Sequence, residues 1–350
     1  MQFDNQPPET PFSKAPPIQT LPQTASTKNI QPYLAQAQTD ITNLINQVQY
    51  AVIGQTAIIE KLVICMLAGG HVLLEGVPGL GKTLLVKAVA KAMTGDYSRI
   101  QFTPDMMPSD ITGHTLYDMQ TGQWKVRKGP VFCNLLLADE INRAPAKTQS
   151  ALLEVMQEQQ VTIEGQSHAM PQPFVCIATQ NPIEQEGTYP LPEAQLDRFL
   201  MNLYMDYPSE AEEKSMLQQV MTGQIGDKLD LSHVTAVLSP QRLAQLQILT
   251  AHVKLDERII QYALDIVRTS RKFAGIEYGA GSRAGMALLR AGRAKAIMAG
   301  RDFVIPDDIR LVASDILRHR LTLTADYQID GYRIEQVIDG LINTVPAPRQ

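Results

Sequence analysis

Eight consecutive residues, Gly76-Val77-Pro78-Gly79-Leu80-Gly81-Lys82-Thr83, restrict what this chain can fold into more than any others. They satisfy G-x-x-x-x-G-K-[ST] at every position. His71-Val72-Leu73-Leu74-Glu75 before them reads as a short buried strand, and residues 84–91 after them read as an amphipathic helix. Strand, glycine-rich loop and helix together can close round an anion. Glycine lets successive N–H groups turn toward one point, and the helix N-terminus adds the positive end of its dipole. The expectation is a phosphate cradle running through Leu84, with Lys82 reaching the β- and γ-phosphates of ATP and the Thr83 hydroxyl on Mg²⁺.

The rest of the composition is that of an ordinary globular chain. Of 350 residues, 44% are hydrophobic and 19% charged, enough length for two domains with a sizeable core. No apolar run reaches the roughly 18 residues that a membrane span needs. No apolar leader opens the chain, so a cytoplasmic location is expected. Cys65, Cys133 and Cys176 lie far apart in apolar company, the pattern of buried reduced thiols rather than of disulfides or metal ligands. The net charge of −5 is uneven. Residues 1–240 carry 15 Lys+Arg against 24 Asp+Glu, and residues 241–350 carry 16 against 12. The basic C-terminal part suits either an acidic partner or a solvated face.

Taken in order, residues 1–38 are rich in Pro and Gln and read as a disordered or extended tail. Order is expected from Thr39-Asp40, with a nucleotide-binding domain over 39–222, a polar linker over 223–239 and a helical domain over 240–350. A first helix is followed by Ile53-Gly54-Gln55, a break that should border the nucleotide base, and by a second helix over 56–67. Residues 103–128 are neither clean helix nor clean strand. They contain a hairpin pattern with Tyr117 and Trp124 and are read as an insertion. A second hairpin is expected at about 160–171. Five helices are expected near 240–252, 256–273, 282–299, 306–319 and 331–343.

Asn134-Leu135-Leu136-Leu137-Ala138-Asp139-Glu140 is an apolar run ending in two carboxylates. A buried parallel strand presents its ligand groups at its carboxyl end. Asp139 is expected to hold Mg²⁺ through its water shell. Glu140 is expected to orient and activate the attacking water as general base. A second buried strand, Phe174-Val175-Cys176-Ile177-Ala178-Thr179, ends in Gln180-Asn181-Pro182, whose polar tip can touch the γ-phosphate or the water.

Several of these motifs occur together: the Pro-Gly-x-Gly core of the loop, Phe102-Thr103-Pro104-Asp105, Asp139-Glu140-Ile141-Asn142-Arg143-Ala144, Ala178-Thr179-Gln180-Asn181-Pro182 and Glu193-Ala194-Gln195-Leu196-Asp197-Arg198-Phe199. Over residues 40–345 or so the chain resembles the MoxR family of AAA+ ATPases. The resemblance implies a P-loop αβα sandwich with a five-stranded parallel sheet, a small all-helical lid, and nucleotide between the two. It implies a homo-oligomeric ring, a hexamer, that remodels protein clients, often beside a von Willebrand factor A domain partner. By position it implies that Asn181 is sensor 1 and that Arg198 is an arginine finger given to the neighbouring subunit. Arg283, in Gly281-Ser282-Arg283, would be sensor 2, reaching the γ-phosphate from the lid.

Other classes remain at this point. Related branches include nucleic-acid motors and loaders, against which the negative net charge argues, and no helix-turn-helix or zinc-finger pattern is visible. A metal-chelatase ATPase subunit shares similar sensors. A nucleotide-gated scaffold with little turnover sits poorly with Glu140 and Asn181.

Overall fold

Pro32 lies in the first turn of a helix, not in a tail. The computed structural model, which describes residues 30–182, 187–220 and 231–348, begins with α1 at Gln31–Ala51. A proline costs little there, because first-turn N–H groups have no intrahelical acceptor. Leu34, Ala37, Ile41, Leu44 and Val48 bury one face of α1. The expected start near Thr39 is thus corrected to Gln31, and residues 1–29 of the expected tail lie outside the described residues.

The chain then runs through α2 (Thr56–Leu67), β1 (Val72–Gly76), α3 (Lys82–Ala92) and β2 (Tyr97–Gln101). The irregular insertion resolves into a short helix, α4 (Pro108–Thr112), and a hairpin of β3 (Gly113–Asp118) and β4 (Gln123–Lys128). Next come β5 (Leu135–Asp139), α5 (Ala146–Glu158), a second hairpin of β6 (Gln160–Ile163) and β7 (Gln166–Ala169), and β8 (Val175–Gln180). A single turn, α6 (Glu193–Leu196), leads to β9 (Met201–Met205) and α7 (Glu210–Val220).

Five strands form one parallel sheet in the order β2-β5-β8-β1-β9. The two-residue period of the strands sorts its two cores. Val72, Leu74, Leu135, Leu137, Val175 and Ile177 join one buried cluster with α1, α2 and α3. Leu73, Ile100, Leu136, Ala138, Cys176 and Ala178 join the other, with α4 and α5. Burial on both faces is why β5 and β8 read as unbroken apolar runs.

The C-terminal part holds α8 (Pro240–Ala251), α9 (Glu257–Ser270), β10 (Ile276–Tyr278), α10 (Ser282–Met298), α11 (Pro306–Leu317), β11 (Thr322–Leu323), α12 (Ala325–Ile329) and α13 (Ile334–Thr344). All five expected helices are present. The lid is not purely helical, because β10 and β11 pair antiparallel. Runs of two and three residues are too short to show a period-2 pattern. The expected linker is partly laced down: the N–H groups of Val237 and Leu238 donate to Ala92 O at 2.8 and 3.2 Å. Residues 221–230 of it lie outside the described residues.

The lid packs onto α1 and α2. Its buried residues, among them Leu246, Ile266, Leu288 and Ile316, continue the cluster begun by those helices. Lys61 in α2 pairs with Asp315 in α11 at 2.7 Å, and Arg242 in α8 pairs with Asp40 in α1 at 2.7 Å.

Candidate active site

In a parallel sheet every carboxyl end lies along one edge, and the phosphate loop, Asp139, Glu140 and Asn181 all sit there. Gly79 and Gly81 take φ of 88° and 85°, a left-handed backbone that side chains rarely adopt and that turns consecutive N–H groups inward. Gly81 caps α3, so Lys82 and Thr83 open the helix. The Lys82 ammonium donates to Gly76 O and, at 3.3 Å, to Gln180 O, spanning β1 and β8. Val77, Pro78, Leu80 and Leu84 are partly or fully exposed around this loop. Ile53, Gly54 and Gln55 lie at the same edge, where Gln55 Nε2 donates to Asp206 O at 3.2 Å just past β9.

The register of β2 on β5 sets Arg99 opposite Leu137, which puts Arg99 and Asp139 on the same face, one diagonal step apart. Arg99 donates through Nη2 and Nε to Asp139 Oδ2 at 2.7 and 3.1 Å. Thr83 Oγ1 lies 3.4 Å from the same oxygen, and Thr179 Oγ1 donates to Oδ1 at 2.6 Å. Thr179 also accepts from the Glu140 N–H at 2.9 Å. Glu140 has φ of 58°, a left-handed conformation uncommon outside glycine, and its carboxylate meets Arg143 Nε at 3.1 Å. Burial pushes the neighbouring Glu75 carboxyl upward, opposed by a hydrogen bond from Asn202.

These groups fit a hard divalent cation. Thr83 and Asp139 supply oxygen donors of the kind Mg²⁺ prefers. Among the described residues no cluster of three or more His, Cys, Asp or Glu side chains could make a closed metal cage.

Arg198 and Arg283 are brought together, but at the opposite edge. Arg198 precedes β9, and the Leu200 N–H donates to His71 O at 2.8 Å just ahead of β1. Arg283 Nη1 stands 3.6 Å from Asp197 Oδ2. Both arginines line a cavity of about 340 Å³ with Gly69, Gly70, Arg290 and Arg320. Five residues of β1 separate this cavity from the loop, a rise of about 16 Å. Arg283, expected to reach a γ-phosphate from the lid, stands in this structure beside Asp197 at the amino edge. The lid's apolar faces are complementary to α1 and α2, and packing there carries α10 to the amino edge of the sheet.

A model of the ATPase family associated with various cellular activities (AAA) matches residues 71–201, and an AAA lid domain model matches residues 268–341. The chain is 43% identical over 314 residues to Chaperone MoxR1 of Mycobacterium tuberculosis, covering 87% of this chain and 81% of that protein. The chain belongs to the MoxR family of AAA ATPases. Another relative, the uncharacterized protein YeaC of Bacillus subtilis, is 41% identical over 306 residues, covering 87% of this chain and 94% of that one. A crystal structure of a candidate ATPase from Cytophaga hutchinsonii superposes with a TM-score of 0.82 at 40% identity, covering 91% of this chain and 98% of that one. Nucleotide binding goes with membership of this family.

Arg99, Arg143, Thr179 and Arg320 escaped the sequence reading. Arg143 and Thr179 stand inside quoted motifs without a role given to them there, and for Arg99 and Arg320 only a strand register or a tertiary contact gives one. The three cysteines are buried and unpaired, and burial pushes the Cys133 thiol up to about 12, so none is a reactive thiolate. Among the described residues no helix is long and apolar enough to cross a membrane.

Proposed function

We propose that this chain is a Mg²⁺-dependent ATP hydrolase working as a homo-oligomeric ring, a hexamer, in which each subunit completes its neighbour's site and drives remodelling of protein clients. One observation carries the reading: the phosphate-side groups and the two arginines lie at opposite edges of the same sheet. On this reading a subunit does not bring Arg198 or Arg283 to its own Lys82. Rotationally arranged copies can, because a heterologous interface joins different edges of adjacent subunits.

In this site the backbone N–H groups of the loop and Lys82 bind the β- and γ-phosphates. Thr83 and Asp139 would hold the Mg²⁺, which would supply positive charge to neutralise that of the phosphates. Glu140, swung from Arg143, takes the proton of the attacking water, and Asn181 orients that water. Arg198 and Arg283 of the adjacent copy stabilise charge on the transferred phosphoryl group. An arginine given in trans is worth about 10³–10⁵ in rate, so turnover depends on assembly.

Contact with a protein client is assigned to the β3–β4 hairpin. Tyr117 and Trp124 face each other across its strands with ring centroids 5.2 Å apart, and Leu116, Met119 and Val126 are exposed beside them. Aromatic and apolar side chains held in the open are what a transient protein contact uses. A von Willebrand factor A domain partner and a cytoplasmic location belong to the same reading.

The test mixes two inactive variants. Arg198→Ala binds ATP without a finger to give, and Glu140→Gln carries a finger without a base. Mixed, they should regain hydrolysis, because Arg198→Ala sites then face an intact finger. A mixture as inactive as its components rejects completion in trans.

A further inference from the structure

The lid reaches back to the arginine-bearing loop and the start of β9 through three consecutive residues. Arg318 Nη1 donates to Asn202 O at 3.4 Å, and His319 Nε2 bonds to Phe199 O at 3.1 Å. Arg320, with a side chain only 4% exposed, spends all five of its N–H donors. Nε donates to Asp197 Oδ1 at 2.7 Å, Nη2 to Asp197 O and Phe199 O at 3.2 and 2.7 Å, and Nη1 to Leu200 O and Ile316 O at 3.3 and 2.5 Å. Four of these five acceptors sit on residues 197, 199 and 200, which flank Arg198. The other Asp197 oxygen faces Arg283 at 3.6 Å.

We infer that Arg320 is a positioning residue that fixes the direction of Arg198 and, through Asp197, sets Arg283 beside it, so that lid orientation governs how both arginines are presented to the next subunit. This rests on the reading of Arg198 as a finger given in trans. A purely stabilising bolt between lid and sheet could land anywhere on the interface. Burying a guanidinium is costly unless every donor is matched, and here the matching acceptors come almost entirely from the loop that carries Arg198. The fifth, Ile316 O, lies in α11, so one planar group ties a lid helix to that loop rigidly. A shift of α11 therefore moves residues 197–200 with it.

The experiment uses Arg320→Lys in the full chain, which keeps the charge and removes the fork. Its kcat should fall about 10²-fold, the cost of an ångström-scale misplacement, while KM for ATP stays within about twofold. Asp197→Asn, which leaves the backbone bonds of Arg320 in place, should lower kcat about tenfold and serves if Arg320→Lys fails to fold. Each variant is then mixed with Glu140→Gln subunits, with Arg198→Ala as the parallel control. Recovery of hydrolysis in both the variant and the control supports the inference, since a neighbour has supplied a well-aimed arginine. Recovery of the control alone overturns it and assigns Arg320 to folding. A rise in KM at unchanged kcat also overturns it. Failure of the control removes the finger reading, and this inference with it.

Discussion

Arg99 and Asp139 form an ion pair across adjacent strands, Nη2 to Oδ2 at 2.7 Å, on the very oxygen that Thr83 Oγ1 approaches to 3.4 Å. A divalent cation bound by Asp139 must displace that guanidinium or share the oxygen with it. Either raises the cost of metal binding, because like charges then crowd one carboxylate. On the proposed reading, Arg99→Gln should lower the Mg²⁺ concentration that half-saturates ATP binding, by about tenfold if one charge-assisted bond is removed. Titrating Mg²⁺ against a fluorescent ATP analogue at fixed protein reads this directly. A higher Mg²⁺ requirement would mean that Arg99 helps to orient the carboxylate instead.

Lys82 and Glu140 should separate binding from turnover. Lys82→Ala removes the cation that spans β1 and β8 at the phosphate side, and ATP affinity should weaken about 10- to 100-fold. Glu140→Gln keeps the shape of the site, so ATP should bind as in the parent while hydrolysis falls about 10²–10⁴-fold. Equilibrium dialysis beside a phosphate-release assay gives both numbers. Purified from its own host with ATP and Mg²⁺, Glu140→Gln should also retain a defined set of proteins that Lys82→Ala does not. Nucleic acid in their place, removed by nuclease, would favour a motor.

Arg283 stands 3.6 Å from the Asp197 carboxylate, and its side chain is about half exposed, so its removal leaves little buried charge behind. Arg283→Ala should therefore leave the melting temperature nearly unchanged and lower kcat. Mixed with Glu140→Gln subunits, it should regain activity as Arg198→Ala does. Equal loss in the mixture and alone would place its action within its own chain.

Tyr117 and Trp124 are 52% and 71% exposed. Replacing both with Ala should cost at most about 1 kcal/mol, the worth of an exposed cross-strand aromatic pair. Basal ATP hydrolysis should persist, while stimulation by the co-purifying client is lost. A large drop in thermal stability would show the pair to be structural.

Acid should destabilise the fold through His71. Its Nδ1 accepts the Cys176 N–H at 3.0 Å, so Nε2 carries the proton and donates to Met156 O at 3.0 Å. Burial pushes this imidazole down to about 4, below the ordinary 6.5 that it regains on unfolding. Between those values the unfolded chain binds a proton that the folded chain refuses. Stability is thus fully present above pH 6.5, falls as pH drops toward 4 by about 1.4 kcal/mol per unit, and changes no further below that on account of this group. Burial lowers His319 as well, in the same direction. Urea midpoints measured from pH 7 to 5 should slope downward, and His71→Gln should flatten that slope.

The sequence by itself determined where the groups of the phosphate side lie. The loop at 76–83, the carboxylates after β5 and Asn181 after β8 are legible because each lies within a few residues of a strand end. An apolar run then fixes both where the strand stops and which edge it faces. The five lid helices were legible for a similar reason, since their buried faces recur at helical spacing. The start of α1 was not, because Pro32 in a Pro- and Gln-rich context resembles tail until Leu34 and Ala37 are seen to pack. Only the tertiary structure decided where the lid goes. Local pattern shows that α10 and α11 have apolar faces, but not that these close over α1 and α2. That choice took Arg283 to Asp197 and brought Arg320 onto the loop of Arg198, the latter across 123 residues of chain. Contacts at such separation are set by packing and leave no periodicity to read.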